Sequence, residues 1–493
     1  MKRERLTREA WIPHARALVE RGGRLVALWS AARPEGAAIC AAYACAGELQ
    51  WVELPLEGAA TFPDLSGVFH FAARMQRAIT DLVGPAVDGA SDRRPWLNHG
   101  AWPGGYRPLA RAASGRETFP DCGVIDYPFV RVEGEGVHEI PVGPVHAGII
   151  EPGHFRFSIV GEKVLRLEER LGYVHKGIEK RFTELAPLEA HRLAGRVSGD
   201  STVAHAWAYC MALEDAAGIE IPARGAWLRA LMLERERVAN HLGDLGALAN
   251  DAGLAFGLSQ FSKLRELWQR SSLDAFGHRF MMDGVVPGGA ARDLSPEMLE
   301  RLRRDGVQLA KEVRYLRGIL DEHAGLQDRF INAGRLRPEL AARLGLTGLA
   351  ARASGHAIDL RCDRAWAPYE SLDVRMSTHR NGDVAARVSV RFDEVFESLR
   401  LLEEICERLP RGECRAEVAV PPGEAYGAGW VEGWRGEVFC ALELEGGAIR
   451  RCHLHDPSWQ NWPALEHAVM DNIVPDFPLI NKSFNLSYSG HDL

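Results

Sequence analysis

Three long amphipathic helices in the second half of the chain constrain its fold most strongly. Residues 227–245 carry leucine and valine at helical spacing, which predicts one apolar face with charged side chains beside it. Ser295 precedes a proline and predicts the N-cap of a second helix over residues 296–319. A third apolar stripe predicts a helix over residues 393–409, which Pro410 ends. This half is therefore predicted to be long helices around a small amount of sheet.

The first 125 residues show a different pattern. Residues 24–29 and 49–54 read as strands, and residues 69–83 read as a helix. Residues 85–122 are rich in Gly, Pro, Arg and Trp and predict an extended, exposed docking arm. No catalytic constellation occurs here, so we interpret this part as a scaffold or docking module.

A second unit begins near residue 140. Residues 155–160 and 164–168 predict a hairpin, with Gly161 and Glu162 at its turn. The fold class is thus α+β. We expect a small α+β domain over residues 1–125, a linker over residues 126–139, and a mainly helical domain with small peripheral sheets over residues 140–493.

Composition and charge exclude several classes of function. The chain has 59 basic and 67 acidic residues, a net charge of −8 and no basic tract, so nucleic acid is not an expected partner. No apolar stretch predicts a signal peptide or a membrane span. The 9 cysteines form no Cys-x-x-Cys pair, which predicts reduced thiols in a cytoplasm and no iron–sulfur cluster or structural zinc held by this chain.

The turn Ser198-Gly199-Asp200-Ser201 has the outline of a metal-binding loop without its ligands. A Cys-Gly-x-Cys turn would present two thiolates to one soft metal, whereas serine hydroxyls stay protonated and are hard donors. Neither nickel nor iron is therefore expected there. Taken alone, the segment also fits an ordinary turn and helix N-cap.

Seven motifs follow one another from about residue 140 to the end of the chain. They are Gly143-Pro144-x-His146, Glu151-Pro152-Gly153-His154-Phe155-Arg156, His175-Lys176-Gly177-x-Glu179, Pro287-Gly288-Gly289, Arg352-Ala353-Ser354-Gly355, Asn381-Gly382-Asp383 and Arg435-Gly436-Glu437. In this order they resemble the large subunit of membrane-bound, energy-converting nickel–iron hydrogenases, and they are similar to the quinone-site subunit of respiratory complex I. Residues 1–125 resemble the small peripheral subunit that accompanies it, through Arg77-x-x-x-Asp81-Leu82-x-Gly84.

The resemblance places the four nickel thiolates of the hydrogenases at positions that carry no sulfur. Ser198 and Ser201 stand at the first pair, and Ser487 and Gly490 at the second. All four sulfur ligands are absent, so the resemblance implies that this chain binds no metal and is not an active hydrogenase. In the related complex I protein the emptied cavity holds a quinone headgroup, and we expect an open pocket here too.

The resemblance implies an oxidoreductase subunit of a complex-I-like, membrane-associated complex. The chain would bind no cofactor itself and would reduce a quinone-type substrate with electrons from an iron–sulfur cluster on a small partner subunit. Reduction would be coupled to ion translocation through antiporter-like and anchoring membrane subunits. The chain would then lie peripherally on the cytoplasmic side of the inner membrane.

Several residues are candidates for the site. The catalytic candidates are Glu179, which resembles the proton-gate glutamate of the family, His154 and His205 as proton carriers, and Arg435 as a fixed positive charge for a developing anion. Arg196, Asp200 and Tyr488 are candidates for lining the cavity. A structural role in a retained scaffold remains open for each, and a non-catalytic scaffold linking the electron-transfer and membrane arms is the alternative function.

Overall fold

The N-terminal part of the chain is a mixed sheet with two helices. The computed structural model describes residues 2–33, 36–120, 122–123, 125–146 and 150–493. The first elements are β1 (Lys2–Arg5), α1 (Arg8–Glu20), β2 (Arg24–Arg33), β3 (Gly36–Cys45), β4 (Glu48–Pro55), β5 (Thr61–Pro63), α2 (Ala72–Val83) and β6 (Ala86–Asp88). The sheet order is β1-β4-β3-β2, with β1 parallel to β4 and the other pairs antiparallel. The predicted strands and helix of this region are confirmed, although α2 begins only at residue 72.

The segment after α2 is only in part the exposed arm that its composition predicts: residues 96–98 are buried, whereas residues 111–120 are mostly exposed. Trp96 is 1% exposed and Trp102 is 9% exposed. The carboxylate of Asp81 accepts the backbone N–H groups of Trp96 and Leu97, each at 2.7 Å, and draws the segment back onto α2. An indole is a large apolar group, so burying it against the body stabilises this otherwise irregular chain.

A three-stranded antiparallel sheet follows. Its strands are β7 (Val137–Val142), β8 (His154–Val160) and β9 (Lys163–Arg170), in sequence order. The hairpin predicted around Gly161 is confirmed, and that glycine has φ +60°, a conformation that disfavours other residues. β7 has no clear alternation of apolar and polar residues, so its own sequence does not predict a strand.

The middle of the chain is helical, as its apolar periodicity predicts. The elements are α3 (Ile178–Phe182), α4 (His191–Ala194), α5 (Thr202–Ala217), α6 (Ala223–Asp251), α7 (Ala255–Phe276), β10 (Val285–Val286), β11 (Gly289–Ala290), α8 (Pro296–Glu322), α9 (Ala324–Phe330), α10 (Pro338–Leu344), α11 (Gly348–Ala353), α12 (Leu360–Asp363) and α13 (Val384–Arg408). Ser295 caps α8 by accepting the N–H of Met298. Asp383 caps α13 in the same way, and this is why α13 begins upstream of the predicted residue 393.

The last sheet of the chain packs against the N-terminal sheet. Its strands β12 (Ala425–Glu432), β13 (Glu437–Glu445) and β14 (Ala448–His455) are antiparallel, and α14 (Ser458–Ala468), α15 (Phe477–Phe484) and α16 (Tyr488–Asp492) follow. The two sheets pack face to face, with the rings of Trp29 and Phe439 5.8 Å apart. Arg33 of β2 binds Glu53 and also Glu443 of β13 in this buried interface. Within the described residues no helix is long and apolar enough to cross a bilayer.

The β12–β13 turn lies over the start of α5 because β12 packs directly on that helix. A methyl group at Gly429 would lie 1.9 Å from the carbonyl oxygen of Ala208. Only glycine permits so close an approach of strand and helix. The turn thereby brings Trp434 and Arg435 to the N-terminus of α5.

Candidate functional site

The turn of residues 198–201 is fixed at the N-terminus of α5. Residues 199–201 form one 3-10 turn that continues into the helix. The buried carboxylate of Glu236 accepts the backbone N–H of Val203 at 2.7 Å and that of Ala204 at 3.2 Å. These donors have no partner within the first helical turn, so α6 caps α5 from outside.

The C-terminal tail folds back onto this turn. Ser487 caps α16, its Oγ accepting the N–H of Gly490 at 2.8 Å. The same Oγ lies 2.9 Å from the Oγ of Ser198. Because the Ser198 hydroxyl donates to Asp200 Oδ1 at 2.7 Å, Ser487 is the donor of the bond between the two serines. Two of the four positions that match nickel ligands are thus joined directly.

Gly490, at the fourth of these positions, is closed by a carboxylate. A methyl group built on it would lie 2.6 Å from Asp456 Oδ2 and 2.9 Å from Ser487 Oγ. No side chain fits there unless Asp456 moves. The expected open pocket at these positions is therefore absent from the described residues: hydrogen bonds and Asp456 fill it.

Arg435 closes the remaining side. Its Nη1 donates to Asp200 Oδ1 at 2.9 Å and to Ser201 Oγ at 3.2 Å, and its Nη2 pairs with Asp200 Oδ2. Trp434 Nε1 also donates to Ser201 Oγ, at 3.1 Å. Burial alone would raise the pKa of Asp200, but the guanidinium of Arg435 holds it well below its usual range. We call Ser198, Asp200, Ser201, Arg435 and Ser487 the central polar cluster.

His205 lies directly beneath the central polar cluster on α5. It is fully buried, and its Nδ1 is 3.1 Å from the carbonyl oxygen of Ser201. Its Nε2 is 3.5 Å from Asp456 Oδ2, and neither atom has a hydrogen-bond partner within the part of the chain described. Burial lowers the pKa of His205, with Asp456 opposing this shift, so the ring is neutral at pH 7.

Glu179 belongs to a second buried group. Its Oε1 is 2.7 Å from Nδ1 of His453 and 2.9 Å from Nη2 of Arg451. Burial would raise the pKa of Glu179, but the charges of Arg451 and His453 lower it to about 2. The carboxyl is therefore ionised at neutral pH.

Two other predicted residues lie away from the central polar cluster. Arg196 is on the surface, where its guanidinium binds both carboxylate oxygens of Asp283 at 2.6 and 2.8 Å. His154 begins β8 with Nδ1 3.0 Å from the carbonyl oxygen of Gly143 and its ring against Phe129. The structure does not bring either side chain into contact with the cluster, so a direct role there is not supported by their position.

Tyr488 lines a crevice on the outer side of the tail. The crevice has a volume of about 510 Å³ and lies between residues 142, 146 and 150, α6 and the segment 477–488. Its apolar walls include Val142, Phe155 and Leu486, and its polar lining includes Lys482, Asn481, Asn485 and Asp251. The carbonyl oxygen of Asn485 accepts a hydrogen bond from Arg435 Nε, so the inner wall of the crevice is also the outer wall of the central polar cluster.

Sequence reasoning missed four buried residues near these groups: Asp456, His453, His455 and His491. A signal was present, because β14 carries Arg451, His453 and His455 at alternate positions, which places them on one face of a strand. The burial of these side chains was not predicted, because a polar face that alternates along a strand is normally exposed to solvent. Here that face is covered by the N-terminal sheet.

The donor set of the cluster does not fit nickel. Serine hydroxyls at three positions and a bare glycine at the fourth supply no soft ligand. The hydroxyls of Ser198 and Ser487 bind each other, and that of Ser201 accepts hydrogen bonds from Trp434 and Arg435. Within the described ranges no group of three or more His, Cys, Asp or Glu side chains is arranged to hold a metal ion.

Comparisons with known proteins agree on one superfamily. The model of the respiratory-chain NADH dehydrogenase 49 kDa subunit matches residues 251–419, and that of nickel-dependent hydrogenases matches residues 176–245. Formate hydrogenlyase subunit 5 of Escherichia coli is 30% identical over 450 residues, which cover 90% of this chain and 79% of that protein. An NADH-quinone oxidoreductase subunit of Bacteroides thetaiotaomicron is 29% identical over 418 residues, covering 78% and 76%. A chain of an archaeal membrane-bound sulfane sulfur reductase has a TM-score of 0.68 and 25% identity, covering 73% of this chain and 99% of that one.

Proposed function

The chain belongs to the family of hydrogenase large subunits and complex I 49 kDa subunits, and from that premise we propose that it binds and reduces a quinone-type acceptor within a membrane-associated complex. As in its relatives, its oxidoreductase activity belongs to a complex. The acceptor would occupy the crevice beside Tyr488. Electrons would arrive from an iron–sulfur cluster of a partner subunit, and reduction would be coupled to ion translocation.

The crevice is the observation that carries this proposal. A quinone has an apolar ring and tail and two carbonyl oxygens, so it needs an apolar slot with a few polar groups. The volume of about 510 Å³ lies within the range of small-molecule sites, roughly 300–1,000 Å³. Val142, Phe155 and Leu486 can pack on the ring, while Lys482 and Asn485 can bind its oxygens.

The positive charges beside the crevice suit the reduction of a quinone-type acceptor. Reduction to the quinol adds two electrons and two protons, so negative charge develops on the oxygens. Arg435 is already paired with Asp200, and its charge is therefore largely neutralised. Lys482 is paired less tightly, because its Nζ is 3.7 Å from Asp244, which also binds Arg391. It lines the crevice and is therefore better placed to stabilise that charge.

Filling the crevice tests the proposal. Ala247 on α6 lines it, and Ala247→Phe should strongly reduce the rate at which the purified complex reduces a short-chain ubiquinone analogue. Ala310→Phe, a half-buried helical alanine elsewhere, is the matched control. Ferricyanide reduction measures electron input without the quinone site and should be unchanged in both. Equal quinone-reduction rates for the two variants would refute the crevice as the acceptor site.

One observation favours the alternative, a non-catalytic scaffold. The position of the ancestral metal is closed by the bond between Ser198 and Ser487 and by Asp456. A chain that only links the electron-transfer and membrane arms needs no open site. A wild-type complex that reduces ferricyanide but no quinone analogue would favour this scaffold role.

A further inference from the structure

Charged side chains form a connected, buried group behind the β12–β13 turn. Its acidic members are Glu234, Asp359, Glu394 and Glu432. Its basic members are Arg237, Arg352 and Arg361, and His241 adjoins them. We call these residues the buried charge network. We infer that the network binds one proton, held by Glu432, and that this proton keeps the turn carrying Trp434 and Arg435 in place. This role goes beyond the proposed function and does not depend on it.

Arg352 joins three of the four carboxyl groups. Its Nε donates to Glu394 Oε1 at 2.8 Å, and its Nη1 donates to Glu432 Oε1 at 2.8 Å. The same Nη1 lies 3.6 Å from Asp359 Oδ2. Glu432 and Asp359 therefore share one guanidinium nitrogen. Each member of the network is at most 3% exposed, so water does not screen these charges.

The network has one more carboxyl group than it has guanidinium groups. Four carboxylates and three guanidinium groups leave one negative charge in excess when all are ionised and His241 is neutral. The facing strand does not remove this excess, because Glu437, opposite Glu432 on β13, is itself paired with Arg24. An uncompensated buried charge is costly, and a buried carboxyl beside another carboxylate binds a proton instead.

Glu432 is the carboxyl whose negative charge has the weakest support. Asp359 accepts the backbone N–H of Arg361 at 3.0 Å and two of its guanidinium N–H groups at 3.0 and 2.7 Å. Glu432 Oε2 accepts, among the described residues, only the N–H of Leu360 at 3.3 Å, so this oxygen is free to carry a proton. Burial and the charge of Asp359 raise the pKa of Glu432 to about 7, although Arg352 opposes this shift.

His241 is the other group that could take the proton, and its surroundings disfavour this. Its Nε2 is 2.8 Å from Glu394 Oε2, and its Nδ1 has no hydrogen-bond partner in the described part of the chain. A proton on Nδ1 would thus be a buried donor without an acceptor. Arg391, whose charge also acts on the ring, is bound to Asp244. Burial lowers the pKa of His241, with Glu394 opposing, so the ring is neutral and donates Nε2–H to Glu394.

The network holds the β12–β13 turn through Arg237. The Nη2 of this arginine donates to the carbonyl oxygen of Glu432 at 2.8 Å, and its Nη1 donates to that of Gly433 at 3.1 Å. An ionised Glu432 would attract Arg237 toward its carboxylate and away from these carbonyl groups. Loss of the proton should therefore loosen the turn, and with it Trp434 and Arg435, which reach the central polar cluster.

Replacing Glu432 by its neutral isostere tests the bound proton. Glu432→Gln balances the charges of the network, so this variant should fold. The folded pKa of about 7 lies above the ordinary 4.5, so the folded chain binds more protons between these pH values, and the free energy of unfolding of the wild type falls as pH rises through 7. The variant lacks this fall. In urea unfolding of the full-length chain, the ratio of the wild-type unfolding constant to that of the variant should rise on the order of 100-fold from about pH 5 to about pH 8.5.

Glu394→Gln is the matched control, because it makes the same substitution at another carboxyl of the network. Arg352 and His241 hold the pKa of Glu394 well below its usual range against the effect of burial, so Glu394 is ionised at all these pH values. Its replacement should destabilise the chain equally across the range. A Glu432→Gln chain that does not fold, or that is destabilised equally at every pH, would overturn the bound proton and make Glu432 an ionised partner of Arg352.

Hydrogen exchange measures the effect of the proton on the turn. The N–H groups of Gly433 and Gly436 bind each other's carbonyl oxygens at 2.8 and 3.2 Å. In the wild type their protection, corrected for the intrinsic rate, should fall about tenfold between about pH 6 and about pH 8.5, the scale of one lost hydrogen bond to a charged group. It should stay constant in Glu432→Gln, with α8, which carries no network residue, as the internal reference. Equal protection of the wild-type turn at both pH values would overturn its control by the proton. No quinone enters either experiment, so a failure of the proposed function would not change these results.

Discussion

Adding one methyl group at Gly490 should destabilise the protein, while the same change at Gly199 should not. A Cβ at Gly490 would lie 2.6 Å from Asp456 Oδ2 and 2.7 Å from its Cγ, whereas one at Gly199 would meet no atom within 4 Å. Both glycines lie beside the central polar cluster, and neither has a positive φ. The pair therefore isolates the contact with Asp456.

The size of the effect follows from two opposing terms. Overpacking a tightly packed site costs typically about 1–3 kcal/mol. Alanine in a helix is favoured over glycine by roughly 0.5–1 kcal/mol, which offsets part of that cost. Gly490→Ala should therefore lower the free energy of unfolding by about 1–2 kcal/mol. Gly199→Ala should change it by less than about 0.5 kcal/mol, as a substitution without steric contact does.

Urea unfolding followed by tryptophan fluorescence measures both variants, since Trp459 and Trp462 lie on α14 beside this region. Asp456→Ala removes the carboxylate that Gly490 faces, so the double variant should recover about 1 kcal/mol relative to the sum of the single changes. Equal stability of Gly490→Ala and Gly199→Ala, or strict additivity in the cycle, would refute the conclusion that Asp456 closes this position.

Three further outcomes follow from the ion pairs. Arg435→Ala should destabilise the chain by about 2–4 kcal/mol in the same urea assay, because it leaves Asp200 without its arginine partner. Arg196→Ala, which breaks an ion pair on the surface, should cost less than about 1 kcal/mol. Arg33→Met should cost about 1–3 kcal/mol in thermal unfolding, because it removes the guanidinium that binds both buried glutamates of the sheet interface and leaves Glu53 only with Arg3 and Arg5 and Glu443 only with Arg450. The pKa of Glu179 in the folded chain is about 2, below its ordinary value of 4.5. Its contribution to stability is therefore complete above pH 4.5 and is lost as the pH falls toward 2. Acid unfolding of the Glu179→Gln variant should lack this part of the pH dependence.

The helices could be predicted because their evidence is local. The apolar stripes of α6, α8 and α13 appear in the sequence, and so does the Ser295 cap. The early start of α13 depends on Asp383, whose capping role cannot be seen until the chain around it is placed. The burial of Trp96 depends on partners that are distant in sequence, including His491, whose ring centroid lies 5.7 Å from that of Trp96. Composition does not predict such contacts.

The candidate site was predictable in outline through resemblance. The motifs indicated that Ser198, Ser201, Ser487 and Gly490 would converge, and the structure places Ser198 against Ser487. That the hydroxyls would close on one another was not predictable, because it depends on the orientation of Asp200 and on the position of Asp456. The buried face of β14 was missed because only the packing of Trp29 against His453, with ring centroids 5.1 Å apart, shows that this polar face is covered.

Elemental analysis of nickel in the purified native complex, made on the sample that is assayed for quinone-analogue reduction, tests the central claim most directly. We expect quinone-analogue reduction by a sample whose nickel content is far below one equivalent per chain, because the four ligand positions hold three hydroxyls and no fourth side chain. Stoichiometric nickel bound by this chain would contradict the claim that it takes part in electron transfer without binding a metal.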